Sequence, residues 1–211
     1  MVKISNEVLE NHFPIPVLSR HFDGVDSLNH SIHKIIEELA KLYQETDKNA
    51  ARNGTSTTQG GYQTAAEDDF LEIENPDVRK LKNYIIVPSV EAYLLQALGA
   101  DPLFLNFKIY CWANRLETGQ WQSPHMHPNE YTIISGVYYV RCPKMLSPGG
   151  VLEFINPHPA SVSLGGQSAT RQLIPEEGLV VMFPPYYMHF VHPITSASAR
   201  TIVSFDVRLC E

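Results

Sequence analysis

The chain has 211 residues, a formal net charge of −7, and 44% hydrophobic against 18% charged side chains. That composition fits a folded globular chain with a sizeable core and excludes a disordered one. The acidic balance argues against duplex nucleic acid as partner, which needs clustered Lys and Arg, and no apolar run approaches the roughly 20 residues of a membrane-spanning helix.

In chain order, the N-terminal MVKISNEVLENHF carries acidic residues where a signal peptide needs an apolar stretch. Three cysteines, Cys111, Cys142 and Cys210, lack CxxC spacing, so neither a disulfide framework nor a structural zinc site is indicated. A cytoplasmic location is the expectation. Residues 25–48 read as a helix, with Asp26 or Ser27 as its cap and Leu28, Ile32, Ile35, Ile36, Leu39, Leu42 and Tyr43 at helical spacing. The following ARNGTSTTQGGYQTAAEDD reads as a long loop of the kind that often serves as a lid. Asn75-Pro76 marks a second helix start, Pro88 is expected to kink or split that helix, and Gly99 ends it.

The character changes after residue 103. FLNFKIYCW, TIISGVYYVR, VLEFI, TRQLI, LVVMF and RTIVSFDV are β-branched or aromatic runs separated by Pro, Gly and Ser clusters. They predict an antiparallel sandwich or barrel. The expected architecture is therefore α+β: one domain over 1–211, with 1–102 as mainly helical support and entrance loop and 103–211 as the β core.

Chemistry concentrates in that core. His125 and His127 form an H-x-H pair, and residues two apart on a strand point to one face. PPYYMHFVHP supplies His189 and His192 just after the run LVVMF, where a strand end can bring His189 to the first pair. Histidines with open positions suit a redox-active iron site, although an isolated H-x-H is more often not a metal site, and a distal His beside Tyr186, Tyr187 and Phe190 is more often simply packed. Arg200 opens an apolar strand, where a guanidinium is costly unless it meets an anion or water, and it grips a carboxylate through paired charge-assisted hydrogen bonds.

The order of these elements resembles the iron(II)- and 2-oxoglutarate-dependent oxygenases. The closest pattern is W-x-N, H-x-H-P, SGVYYV, then FP, H-x-V-x-P and Arg, carried here by Trp112 and Asn114, His125 and His127, Ser135 to Val140, and Phe183, Pro184, His189, Val191, Pro193 and Arg200. GGYQT at 60–64 is similar to a glycine-aromatic element upstream in that family, and the resemblance covers about 53–208. It implies a double-stranded β-helix, the cupin-like jelly roll, with packed N-terminal helices and the metal at its mouth. It further implies Fe(II) and 2-oxoglutarate as cofactors, His125 and His189 as metal ligands, and Arg200 on the distal carboxylate of 2-oxoglutarate, with Tyr139 beside it and Ser204 on the same strand face.

The departure from the family lies two residues after the first His, where relatives carry Asp or Glu and this chain has His127. Either His127 completes a three-histidine site or Glu130 serves as the carboxylate; strand geometry favours His127. A second departure is Ile202, where many relatives have a hydroxyl residue. Trp112, Asn114, Gln63 and His192 are the candidates for lining the substrate pocket. The implied reaction is hydroxylation of a small polar or amino-acid-like molecule with release of succinate and carbon dioxide. The alternatives are a three-histidine cupin-like dioxygenase or isomerase without 2-oxoglutarate, and a non-catalytic jelly-roll binding protein.

Overall fold

Period-two alternation decides which way each long strand turns its side chains. In the last strand, Arg200–Leu209, the residues Thr201, Val203, Phe205 and Val207 face one side and Arg200, Ile202, Ser204, Asp206 and Arg208 the other. Val203, Phe205 and Val207 join an apolar layer under the helices, and Ile202 joins a second layer between two sheets. The same sorting runs through Thr132–Arg141, where Ile134, Tyr138 and Val140 go to the helices and Val137 and Tyr139 go between the sheets.

A computed structural model describes residues 14–46, 57–64, 69–127, 131–158 and 168–210. In it, β1 (Leu18–His21) leads into α1 (Asp26–Thr46), followed by β2 (Thr58–Gln59) and β3 (Tyr62–Gln63). α2 (Pro76–Lys80), a π-helical stretch (Leu81–Ile86) and α3 (Val87–Ala97) run on without a break. Then come β4 (Phe107–Leu116), β5 (Trp121–His125), β6 (Thr132–Arg141), β7 (Leu152–Ile155), β8 (Thr170–Leu173), β9 (Leu179–Phe183), β10 (His189–Val191) and β11 (Arg200–Leu209). One sheet has the order β1-β9-β6-β11-β4-β3 and the other β2-β5-β10-β7-β8, with every pairing antiparallel. Two such sheets face to face, with helices covering the larger, make the double-stranded β-helix.

The helices are held where the sequence puts them. Asn75 Oδ1 accepts from the amides of Asp77 (2.8 Å) and Val78 (3.4 Å), with Pro76 at the first position. Gly99, at φ 62, ends α3. α1 is tied down by Tyr138, whose hydroxyl donates to Asn29 Oδ1 at 2.5 Å, and by Ser31, which donates to Asp77. Pro88 does not split the second helix. The stretch before it widens to π geometry, with the amide of Val87 reaching Lys82 O, which absorbs the hydrogen bond that proline cannot make. α1 begins at Asp26, and Val25 O accepts from Asn29 N, so Asp26 lies inside the first turn instead of capping it.

The loop expected over 51–69 is corrected in its described part. β2 pairs with β5 and β3 with β4, so 58–63 bridges the two sheets at one end. Each strand is only two residues long, which leaves no periodicity to read, and its hydrogen-bond partners are more than fifty residues away in sequence. No helix among the described residues is long and apolar enough to cross a membrane.

Candidate metal centre

β5 and β10 are antiparallel neighbours, and their register sets His125 opposite His189. The two imidazoles therefore leave the sheet on one face, with ring centroids 4.3 Å apart. His127 lies just past the end of β5, where its amide donates to Pro185 O at 2.8 Å. Its ring sits 5.3 Å from each of the other two. One ligand atom from each of the three rings lies within 4.8 Å of the others.

The free nitrogens of these rings are fixed by what the other nitrogens do. His125 Nδ1 meets Ser123 O at 2.6 Å and His189 Nδ1 meets Tyr187 O at 2.8 Å. A carbonyl accepts only from N–H, so each Nδ1 holds the proton and each Nε2 keeps its lone pair. His127 Nδ1 meets Asp206 Oδ1 at 3.0 Å, which gives it the same tautomer. Burial depresses the pKa of His125 to about 4 and that of His189 to about 3, and the neighbouring imidazoles push the same way. Both rings are neutral at neutral pH, as metal ligands must be.

Asp206 is buried on β11 and also accepts from Ser135 Oγ at 2.7 Å. A carboxylate behind a histidine orients the ring and raises its basicity. The rings are also packed: Trp112 stacks on His127 at 5.8 Å, and Phe183 sets its edge against His189 at 4.7 Å. Three converged, buttressed imidazoles with no carboxylate among them form a donor set that suits a borderline divalent transition metal.

Between the sheets the three histidines line a cavity of about 300 Å³ shared with Arg200, Tyr139, Ser204, Trp112 and Gln63. Arg200 is 1% exposed, yet its Nε and Nη1 have no hydrogen-bond partner, and neither does the hydroxyl of Tyr139. The guanidinium lies 5.1 Å from the Tyr139 ring centroid. Burial pushes the Tyr139 phenol up to about 12, the nearby guanidinium offsetting part of that rise, so the hydroxyl stays a donor. Unsatisfied buried donors are rare because each is costly. Several of them on the wall of one cavity are donors that a carboxylate would satisfy.

Two of the expected pocket residues lie elsewhere. Asn114 is fully buried one layer back, where its Nδ2 donates to Gln63 Oε1 (3.0 Å) and Thr58 Oγ1 (3.2 Å). It is not among the cavity-lining residues; it fixes Gln63, which is. His192 is corrected more sharply. It is three residues after His189, an odd number, so on an extended strand it turns to the opposite face. There its Nε2 bonds Glu153 Oε2, with Gln172 on the same carboxylate. Glu130 lies outside the described residues. Asp206 is missing from the sequence reading, although an acid in the apolar run TIVSFDV with the same parity as Arg200 was a usable signal.

Residues 110–206 match the sequence model of a family described as "Putative 2OG-Fe(II) oxygenase". No curated protein matches the sequence significantly. Among solved structures the chain is similar to a Pseudomonas putida prolyl-4-hydroxylase (TM-score 0.59, 14% identity, covering 92% of this chain and 93% of that one). It is also similar to the viral collagen prolyl hydroxylase of Paramecium Bursaria Chlorella virus-1 in its 2OG complex (0.56, 14%, 91% and 96%). A third is HygX from Streptomyces hygroscopicus with nickel and 2-oxoglutarate bound (0.54, 10%, 91% and 82%). At these identities the structural likeness speaks for the fold.

Proposed function

We propose, for a chain whose residues 110–206 match the model of the 2OG-Fe(II) oxygenase family, that it is a hydroxylase of a small polar substrate. In this reading His125, His127 and His189 hold iron(II) through Nε2, and Arg200 with Tyr139 grips the distal carboxylate of 2-oxoglutarate. With both bound, and oxygen as co-reactant, the centre supplies the oxidising power that hydroxylates a C–H bond, releasing succinate and carbon dioxide.

The chain's own residues bind, orient and shield. Asp206 holds His127 in the ligating tautomer and places one negative charge behind a shell that otherwise leaves the full metal charge uncompensated. Ser135 fixes Asp206 in turn. Trp112, Phe183 and Phe154 pack around the rings, which keeps water away from the reacting centre and the rings in place. Ser204 lines the same cavity from β11, between Arg200 and Asp206 on the strand. Gln63, held by Asn114 and Thr58, presents an amide to the substrate side. A cavity of about 300 Å³ is at the small end of ligand pockets, which fits a small molecule. The polar groups on its wall fit one that hydrogen-bonds.

The observation that carries this reading is the buried guanidinium with unpaired donors in the same cavity as three free imidazole nitrogens. A three-histidine enzyme that does not use 2-oxoglutarate gives Arg200 nothing to bind. The test is succinate release from 2-oxoglutarate by purified protein, dependent on added iron(II) and oxygen. The expected result is slow turnover without substrate, lost in His189→Ala. Absence of turnover together with absence of 2-oxoglutarate binding would overturn the reading.

A further inference from the structure

Arg208 lies on the same face of β11 as Arg200, at the opposite end. Eight residues of strand separate their Cα atoms by roughly 27 Å. The histidines lie between, since Asp206, two residues from Arg208, holds His127. Arg208 lines the cavity, and its buried Nε has no hydrogen-bond partner. Its guanidinium carbon lies 4.5 Å from the centroid of the Tyr110 ring. Lys108, its register partner on β4, brings Nζ to 4.6 Å from the same ring.

No ion pair reaches Arg208 or Lys108 among the described residues. The acids nearby are engaged: Asp206 by His127 and Ser135, and Glu72 by Lys82 at 2.7 Å. Lys108 is exposed and Arg208 half-buried, so it is the buried, unpartnered Nε of Arg208 at the cavity wall that an anion from outside would satisfy. With a carboxylate on Arg200, Arg208 is the cation left for whatever enters from the other side of the histidines.

We propose that Arg208, with Lys108 behind it, is the anion-recognition point of the substrate half of the cavity, and that the substrate carries a small oxyanion, a carboxylate or a phosphate. The placement of a substrate half rests on the oxygenase reading; the anion site itself does not. Trp112, which lines the cavity, gives the adjoining part of such a ligand a flat apolar wall.

The test uses three probes of similar shape: benzoate, phenyl phosphate and the neutral benzamide. Each is titrated calorimetrically into the full-length protein loaded anaerobically with iron(II) and 2-oxoglutarate, so that Arg200 is already engaged. At least one anion binds roughly ten- to a hundredfold tighter than benzamide, as loss of a charge-assisted hydrogen bond predicts. In Arg208→Gln that preference disappears while benzamide affinity and a cooperative melting transition are kept. Arg208→Lys keeps part of the preference and covers the case in which the glutamine variant does not fold. Which anion is preferred separates a carboxylate from a phosphate substrate. Equal binding of benzamide, no binding of either anion, or an anion preference that survives Arg208→Gln overturns the proposal. If 2-oxoglutarate itself does not bind the wild type, the oxygenase reading fails, and the same titrations without it decide the anion site by the same criteria.

Discussion

Arg200→Met separates a functional arginine from a structural one, because the two roles predict opposite changes in stability. In the protein without cosubstrate, a 1% exposed guanidinium leaves Nε and Nη1 unpaired. Each unsatisfied buried donor costs about 1–3 kcal/mol. Against that stands the contact with the Tyr139 ring, worth about 0.5–2 kcal/mol. Methionine is flexible, apolar and similar in reach, and fills the space without a polar atom. The net gain is about 2 kcal/mol, which raises the melting temperature by roughly 4–8 °C in a chain of this length. 2-Oxoglutarate affinity moves the other way. Two charge-assisted hydrogen bonds at about 1.5–3 kcal/mol each translate into a loss of roughly 10²–10⁴-fold. Calorimetric melting of the metal-free variant and anaerobic titration with 2-oxoglutarate read both effects on one preparation. A variant that melts below the wild type and binds 2-oxoglutarate as well as the wild type refutes the assignment, and makes Arg200 a structural ion whose partner lies elsewhere.

The remaining predictions concern the histidines and one glycine. Asp206→Asn weakens metal binding by about 10–100-fold, checked by cobalt(II) competition titration; unchanged affinity removes Asp206 from the centre. In the metal-free protein, burial holds His125 at about 4 and His189 at about 3, below the ordinary value near 6.5. The unfolded chain therefore takes up protons that the folded chain refuses. The stability these groups contribute is complete above about pH 6.5 and lost as pH falls to about 4 and then about 3, with a slope of at most about 1.4 kcal/mol per pH unit per group. Urea denaturation at pH 7 and pH 5 measures it, and His189→Gln flattens the dependence; an unaltered slope contradicts the assignment. Gly136→Ala places a Cβ 2.3 Å from Phe205 Cζ, an overpacking that costs about 1–3 kcal/mol. A thermal melt tests it, and Phe205→Leu in the same background recovers part of the loss.

The long strands were legible because burial on both faces makes near-continuous apolar runs, as in LVVMF and TIISGVYYV. The short ones were not. β5 is WQSPH, with a proline inside it, and β10 has three residues; β5 owes its extended form to β10 and β2, and β10 to β5 and β7. Yet these two strands carry His125 and His189. The histidines were found from chemistry and spacing, whereas the hydrogen bonds that set their tautomers depend on backbone carbonyls that no residue identity announces. His192 shows the reverse: its face followed from strand parity with His189, and proximity in sequence pointed the wrong way. The missing family carboxylate next to the first histidine has a counterpart in Asp206, far off in sequence and one hydrogen bond outward from the ring of His127. Spacing rules for metal ligands do not extend to groups that act through a ligand; the parity Asp206 shares with Arg200 marks its face, and the pairing of β11 with β4 and β6 brings it to the site.

In the proposed function, three imidazole nitrogens and one buried guanidinium together hold iron(II) and 2-oxoglutarate. Anaerobic titration of the iron-loaded protein with 2-oxoglutarate, followed by visible absorbance, tests it most directly. The expected result is a saturable charge-transfer band at one equivalent of iron, absent in His125→Ala and His189→Ala and requiring far higher 2-oxoglutarate in Arg200→Met. A wild-type protein that binds iron but develops no band, or an Arg200→Met variant that saturates as the wild type does, contradicts it.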